Sequence, residues 1–582
     1  MSKSWQSLVF DGELWTHIDL CSFPGLPPTT VVRIVESAGT FIRSLNVTGH
    51  VHLLPESMSS ITDDLCLSLP DNPLAYTQLT TLNLQGCFSL TTRSLHHLLV
   101  RSKYLETLCV RGLPAVTNTT CDIIGNFCPN ITSLNMNRCV NMDAEGVRSL
   151  AGAANLRGEH LKLKELRLCA LRHVSDSMMR ALGRAAPFLE VLDLSYARHL
   201  HNSALEAFVA CEEFGDNYHL GVDTIIVSAR DLGRETTDSG PTRFRRRVTH
   251  LRHLALSFCV MLTDNACSNL AWSVPKLEFL ELAGIGQDLK DGGLVRLIEQ
   301  TPYIRRLDLE DASDIGNTVI AALTPGPVPI TATSPIPPKQ PGHALQHLNI
   351  SYASNITDDA LLSLIRKCTN LTSLEADNTR MGSTVVREFV RLSRQRKAID
   401  ARVVAIDCRG IGESLVKELS PMTRPRLGWC AYAARKLGYL DGRDEVLEAE
   451  DGLMKVGQGQ DECDEQRVVI KTFYSWQTVD AVKAAREKRR KSTPRRNRVR
   501  DGSDDSFGSG LEGLGGYGGG SEGEGSSAGG AGVGGGGRSG MRWWSPGGRR
   551  TGRSSRFGAA TRAGNNSPPI LPELNSDGCV VM

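Results

Sequence analysis

The side chains best equipped for covalent or metal chemistry in this sequence are its 16 cysteines. They are scattered, with no Cys-x-x-Cys pair, so their spacing offers neither a zinc site nor a disulfide framework. Cys87, Cys139 and Cys259 recur at the ninth position of a repeated stretch, which invites a redox reading. Leu113, Leu171 and Ala197 hold the same place in other copies, so the position asks for a small or apolar side chain, not for sulfur. One cysteine stands apart: the sequence ends Cys579-Val580-Val581-Met582, the C-a-a-X pattern read for farnesylation. A single prenyl chain holds a membrane only marginally. A second signal lies close by, since Arg538 to Arg562 contains seven arginines and no acidic residue, beside Trp543 and Trp544. The expectation is lipid on Cys579 and a membrane partner reached through the C-terminus. No GxxxxGK[ST], GxSxG or HExxH motif is present, so no enzyme, catalytic residue, cofactor or metal is expected.

Charge excludes a further class. With 66 basic and 64 acidic residues the net charge is +2, so no nucleic-acid partner is expected and any electrostatic partner must be read by a local patch. The N-terminal "MSKSWQSLVF" has no signal-like apolar run, and no stretch approaches the roughly 18 apolar residues of a membrane helix. The expected location is the cytoplasm, peripheral on membranes through the C-terminus, with the nucleus as the alternative.

A repeat organises most of the 582 residues. Stretches of the form L-x-x-L-x-L, from "LTTLNLQGC" to "LTSLEADNT", start at residues 79, 105, 131, 163, 189, 251, 277, 304, 345 and 371, and five of the nine intervals are 26 residues. Weaker copies read at Ile42 to Val47, Val222 to Val227 and Ala401 to Ile406, giving about 13 units. In "LTTLNL", Leu82 and Leu84 sit two apart and fall on one face of a short strand. Polar capping residues and a helical apolar spacing follow, as in "LTDNACSNLAWSVPKL", and Pro129, Pro187, Pro275 and Pro302 stop the chain before the next strand. This is the pattern of leucine-rich repeats: an α/β solenoid with a curved parallel sheet on the concave face and helices outside.

Alternation also selects the side chains that line the concave sheet. In the earlier copies these are Arg111, Asn135, Asn137 and Arg167. In the later ones they are Glu281, Arg306, Asp308, Glu310, Asn349, Glu375 and Asp377, a mostly acidic set suited to a protein substrate with a basic segment.

Ahead of the repeats, "SKSWQSLVFDGELWTHIDL" carries Trp5, Leu8, Leu14 and Trp15 in the arrangement W-x-x-L-x-x-D-x-x-L-W-x-x-I-x-L. By itself this reads as an amphipathic cap on a solenoid end. It resembles the second half of an F-box, and F-box/leucine-rich-repeat proteins place that module directly before cysteine-bearing repeats of this length. The first half, with its Leu-Pro and acidic helix, is not in the sequence. The resemblance implies a non-catalytic substrate receptor of an SCF-type ubiquitin ligase, with Trp5, Leu8, Leu14 and Trp15 as adaptor-binding residues, the SCF adaptor and through it a cullin as partners, and a protein substrate on the repeats. The readings left beside it are a leucine-rich-repeat scaffold without a ligase role and a GTPase-activating repeat protein.

The expected organisation is a partial F-box-like helical segment and N-terminal cap at 1–40, repeats at 41–410, a C-terminal cap of the solenoid at 411–490, a basic then Gly/Ser/Arg-rich disordered tail at 491–578, and the C-a-a-X box at 579–582. The run "KRRKSTPRRNRVR" reads as a nuclear address, a patch for anionic lipid or a solvated helix end. Two insertions break the period. One carries Arg243, Arg245, Arg246 and Arg247; the other, from Thr324, has seven prolines in twenty residues. Both are expected to emerge as loops, either on the binding face or as plain surface.

Overall fold

Alternation of apolar and polar residues over three-residue strands is the local rule from which the fold is built. In most strands of the sheet a central leucine is buried while at least one neighbour remains partly exposed on the other face, as in Thr81–Asn83, Thr107–Cys109 and Arg306–Asp308. The computed structural model describes residues 12–67, 75–211, 223–234, 242–326, 340–424 and 466–473. Trp5, Leu8, most of the proline-rich insertion, residues 425–465 and 474–490 of the expected cap, the basic run at 488–500, the tail and Cys579 lie outside the described residues.

Fifteen of the nineteen described strands form one sheet, thirteen of them in chain order from His17–Asp19 to Arg402–Ala405 and all parallel. Register keeps equivalent residues abreast: Leu82 faces Leu108, Leu108 faces Leu134, and the series continues through Leu166, Leu192, Leu254, Leu280, Leu307 and Leu348 to Leu374. All of these leucines are buried, and each crossover carries an outer helix such as Thr92–Val100 or Asp358–Lys367. This is the expected leucine-rich-repeat solenoid.

The predicted thiols do what their burial requires. Cys87, Cys139 and Cys259 donate to the carbonyls of Val47, Val110 and Leu194 in the preceding repeat, at 3.2, 3.3 and 3.2 Å. Burial pushes the Cys87 and Cys259 thiols up to about 12, which keeps the donor proton in place. The expected helix starts are also present: Thr91, Asp143, Ser175 and Thr263 each cap with a side-chain oxygen. A further ladder ties the helix entrances together. Asn118 accepts the Asp143 amide, Asp291 the Gly316 amide and Asp358 the Gly382 amide, at 3.0, 2.8 and 2.8 Å.

Two readings differ from expectation. The sheet starts at His17–Asp19, paired with Ser44–Asn46, so the first repeat lies inside the segment 1–40. Ile18 and Leu20 supply its buried pair and Pro28–Ala38 its outer helix. The weak copies at 42–47 and 401–406 do form sheet strands, Ser44–Asn46 and Arg402–Ala405. The copy at 222–227 does not: Thr224–Ser228 pairs antiparallel with Arg243–Arg247 of the same insertion, and Val191–Asp193 pairs directly with His253–Ala255. A return strand so near in sequence wins the pairing because closing a short loop costs little entropy. Two arginines of this insertion are therefore structural. Arg246 is buried and ion-paired with Glu206 at 2.8 Å, and Arg247 donates to the Phe208 carbonyl at 3.0 Å, which pins the hairpin to the helix Asn202–Val209. At the far end Val468–Thr472 lies between Arg402–Ala405 and the edge strand Thr423–Arg424.

Close approach between repeats makes particular glycines obligatory. A Cβ on Gly293, at the start of the helix Asp291–Glu299, would lie 1.8 Å from the Asp264 carbonyl oxygen, whereas one on Gly152, within the helix Ala144–Arg157, would meet nothing within 4 Å. Gly293→Ala should therefore destabilise by about 1–3 kcal/mol. Gly152→Ala should stabilise by about 0.5–1 kcal/mol. Thermal unfolding followed by circular dichroism should move in opposite directions for the two variants, and equal shifts would contradict this account of the inter-repeat contact.

Candidate functional site

The concave sheet presents three rows of side chains, set by the first and third residues of each strand and the second residue after it. In the later repeats the first row reads His253, Phe279, Arg306, His347, Ser373 and Arg402, basic at four of six places. The second row holds Glu281, Asp308, Asn349 and Glu375, and the third holds Glu310 and Asp377.

The two inner rows pair with each other. His253 Nε2 stands 3.5 Å from Glu281 Oε1, and Arg306 bridges to Glu281 at 4.0 Å and Asp308 at 3.8 Å. His347 Nε2 lies 3.1 Å from Glu375 Oε1, and Arg402 also contacts Glu375. The His253 and His347 contacts hold the Glu281 and Glu375 carboxyls below the usual range. Alternation alone points to His253, His347 and Arg402, yet a set chosen for its acids omits them.

Acid is in excess at the outer row. Burial, with Asp308 close by, raises the Glu310 carboxyl, and burial raises those of Asp308 and Asp377. Tyr352 is raised by burial and by the charges of Glu310, Asp377, Asp407 and Asp311 around it. Asp311, Tyr352, Asn378 and Asp407 occupy one repeated position after the strand, at φ of 66, 69, 51 and 58°. Gly86, Gly112 and Gly284 fill that position in other repeats, at φ of 81, 73 and 70°.

Several predicted residues also shape the backbone. Asn135, Asp308 and Asn349 each accept the amide two residues on, at 3.1, 3.2 and 3.1 Å, as Asn46, Asn83 and Asp193 do in their repeats. Asn137 accepts the Cys169 amide at 2.7 Å, Asp377 the Ile406 amide at 2.7 Å, and Asn349 donates to Asp308 at 2.9 Å. Their oxygens are committed to turns, and Asn349 is buried. Glu310 and Arg111 are exposed, with side chains not committed to such turns, while Arg167 pairs with Glu165. The structure thus brings Glu281, Arg306, Asp308, Glu310, Asn349, Glu375 and Asp377 onto neighbouring strands. Arg111, Asn135, Asn137 and Arg167 form a separate, less acidic stretch upstream.

At the N-terminal end Leu14 is 64% exposed and Trp15, two residues before the first strand, is 38% exposed. No group of three or more metal-ligating side chains occurs among the described residues, and no described helix is long and apolar enough to cross a membrane.

Comparison with known proteins bears on the repeats. The family model described as "Leucine Rich repeat" matches residues 127–151 and 249–271. Among solved structures, the yeast Rad7–Elc1 complex is similar at 16% identity with a TM-score of 0.40, over 71% of this chain and 92% of that one. The sheet register and the matched repeats together make the described region a leucine-rich-repeat solenoid.

Proposed function

We propose that this chain is a non-catalytic substrate-recognition subunit of a ubiquitin ligase, which holds a protein substrate on its repeats and docks to an SCF-type adaptor through its N-terminal segment. The observation that carries this reading is the F-box-like spacing of Trp5, Leu8, Leu14 and Trp15 directly ahead of the array, with Leu14 exposed where the solenoid begins. Such a subunit contributes proximity: it raises the effective concentration of substrate lysines near a conjugating enzyme carried elsewhere in the complex. A scaffold without a ligase role shares the solenoid and differs in the adaptor. Leu14→Glu should abolish co-purification with the adaptor and leave thermal unfolding unchanged, because end effects in a repeat array stay local. A wild-type chain that never captures the adaptor would leave the scaffold.

The substrate surface is the acidic outer row, and a basic segment is the partner chemistry it suits. Glu310 tests this better than Asp308, which also caps its own turn. Glu310→Lys should weaken substrate capture and flatten its dependence on salt. Raised carboxyls lose their charge first as pH falls, so capture should decline above the pH at which ordinary surface carboxylates protonate. A pull-down titrated in pH and salt that shows neither effect would move the substrate off this face.

The C-terminal tether belongs to the same proposal and rests on Cys579 with the seven arginines upstream. From 501 to 537 a Gly-rich spacer of 37 residues would give a reach of about 35 Å. Cys579→Ser should shift the protein from membranes to the soluble fraction, and mass spectrometry of the wild type should find a farnesyl group on Cys579. A soluble wild type without lipid there would remove the tether and leave the receptor reading intact.

A further inference from the structure

The turn position that holds glycine in several repeats holds Arg138, Ala170, Tyr196 and Phe258 in four successive ones, at φ of 58, 66, 62 and 62°. Left-handed backbone is unfavourable for such side chains, so three large groups sit where glycine would be more stable. Retained strain of this kind is concentrated where side chains are used.

Of these, Arg138, Ala170 and Tyr196 border a cleft of about 510 Å³ that Leu171, Arg172, Arg198 and His199 also line. Its rim is built from planar shelves. The Tyr196 ring stacks on Phe258 at 4.6 Å and 15°, and His199 stacks on His173 at 5.6 Å and 10°. Gly284 leaves the room that the Phe258 ring needs, since a Cβ there would come within 2.5 Å of it. Arg172 donates to the Val140 carbonyl. Arg138, Arg172 and Arg198 are exposed, no carboxylate lines the cleft, and none forms an ion pair with these three arginines among the described residues. Elsewhere on the solenoid Arg167, Arg252, Arg306 and Arg402 each have an acid beside them.

From this we infer that the cleft is a second docking site on the repeats, which takes an acidic segment of a protein partner. Guanidinium groups bind carboxylates through paired N–H donors and stack on planar groups, so three of them beside aromatic shelves suit Asp and Glu side chains flanked by flat or apolar residues. A nucleic-acid backbone is disfavoured by the acidic outer row at Glu310 and Asp377, because Val191–Asp193 stands only three strand spacings, about 14 Å, from Arg306–Asp308. The inference rests on the reading that the solenoid holds a protein. It adds that the partner carries an acidic stretch followed within that distance by a basic one.

The test uses the full chain and fluorescein-labelled octaglutamate, followed by anisotropy at about 0.05 M salt, where screening is weak. The wild type should bind, and the double variant Arg138→Gly, Arg198→Ala should bind at least about tenfold more weakly. Glycine suits the φ of 58° at position 138, so the variant should unfold at the same temperature or higher. That combination separates a binding role from a packing role. Arg245→Ala, which removes an exposed arginine on the hairpin, should leave binding unchanged. The proposal fails if the wild type does not bind octaglutamate, if Arg245→Ala loses as much affinity, or if an oligonucleotide of the same length displaces the peptide at lower concentration. No adaptor is present in this assay. Peptide binding without adaptor capture would keep the cleft and remove the ligase reading.

Discussion

No single repeat can bury its own leucines, and everything else in this molecule follows from that constraint. A three-residue strand offers one fully buried side chain, worth roughly 1.5–3 kcal/mol when a Leu is removed from water, which is far too little to order a 26-residue unit. The leucine of each repeat is covered by the equivalent leucines before and after it, from Leu82 through Leu374. The array is therefore stable as a stack, and its two ends are where the covering must change. His17–Asp19 begins the sheet at one end, and Val468–Thr472 with Thr423–Arg424 completes it at the other.

Stacking also fixes what the concave face can be. Parallel register brings like positions abreast, so a base at the first strand position of several repeats becomes a row, and an acid at the third position becomes a second row beside it. The rows pair, and acid remains in excess in the third row, at Glu310 and Asp377. The backbone makes its own demand: the chain must turn sharply after each strand, and an Asn or Asp in the second row satisfies the amide exposed there. A residue such as Asp308 thus answers to the turn and to the surface at once, while Glu310 answers to the surface alone.

The left-handed position after each strand completes the division of labour. Gly86, Gly112 and Gly284 meet the backbone requirement without strain. Arg138, Tyr196, Phe258, Asp311, Tyr352 and Asp407 meet it at some cost and place charge or an aromatic ring along one edge of the sheet. That edge is basic and aromatic in the earlier repeats and acidic in the later ones. A solenoid whose core is nearly uniform acquires polarity along its length in this way.

The sequence determined the class of fold, because a period of 26 residues with Leu-x-Leu alternation admits few structures other than a strand, turn and helix stacked on copies of itself. It also determined the small buried thiols, the helix caps and which positions of a repeat face the concave side, all of which depend on neighbours within one repeat or at the same position of the next. What it left open depended on competition between distant segments. Residues 222–227 look like a repeat strand but lose to the nearer pairing with Arg243–Arg247, and Arg246 becomes a buried clamp only because Glu206 lies against it. The expected cap at 1–40 proved to contain a strand, since Ile18 and Leu20 find the edge of the sheet to cover. Compensation between charge rows, and the gathering of Arg138, Arg172 and Arg198 around one cleft, are properties of register and curvature. One-dimensional spacing names the side chains on a face; only the stacked chain decides which of them meet.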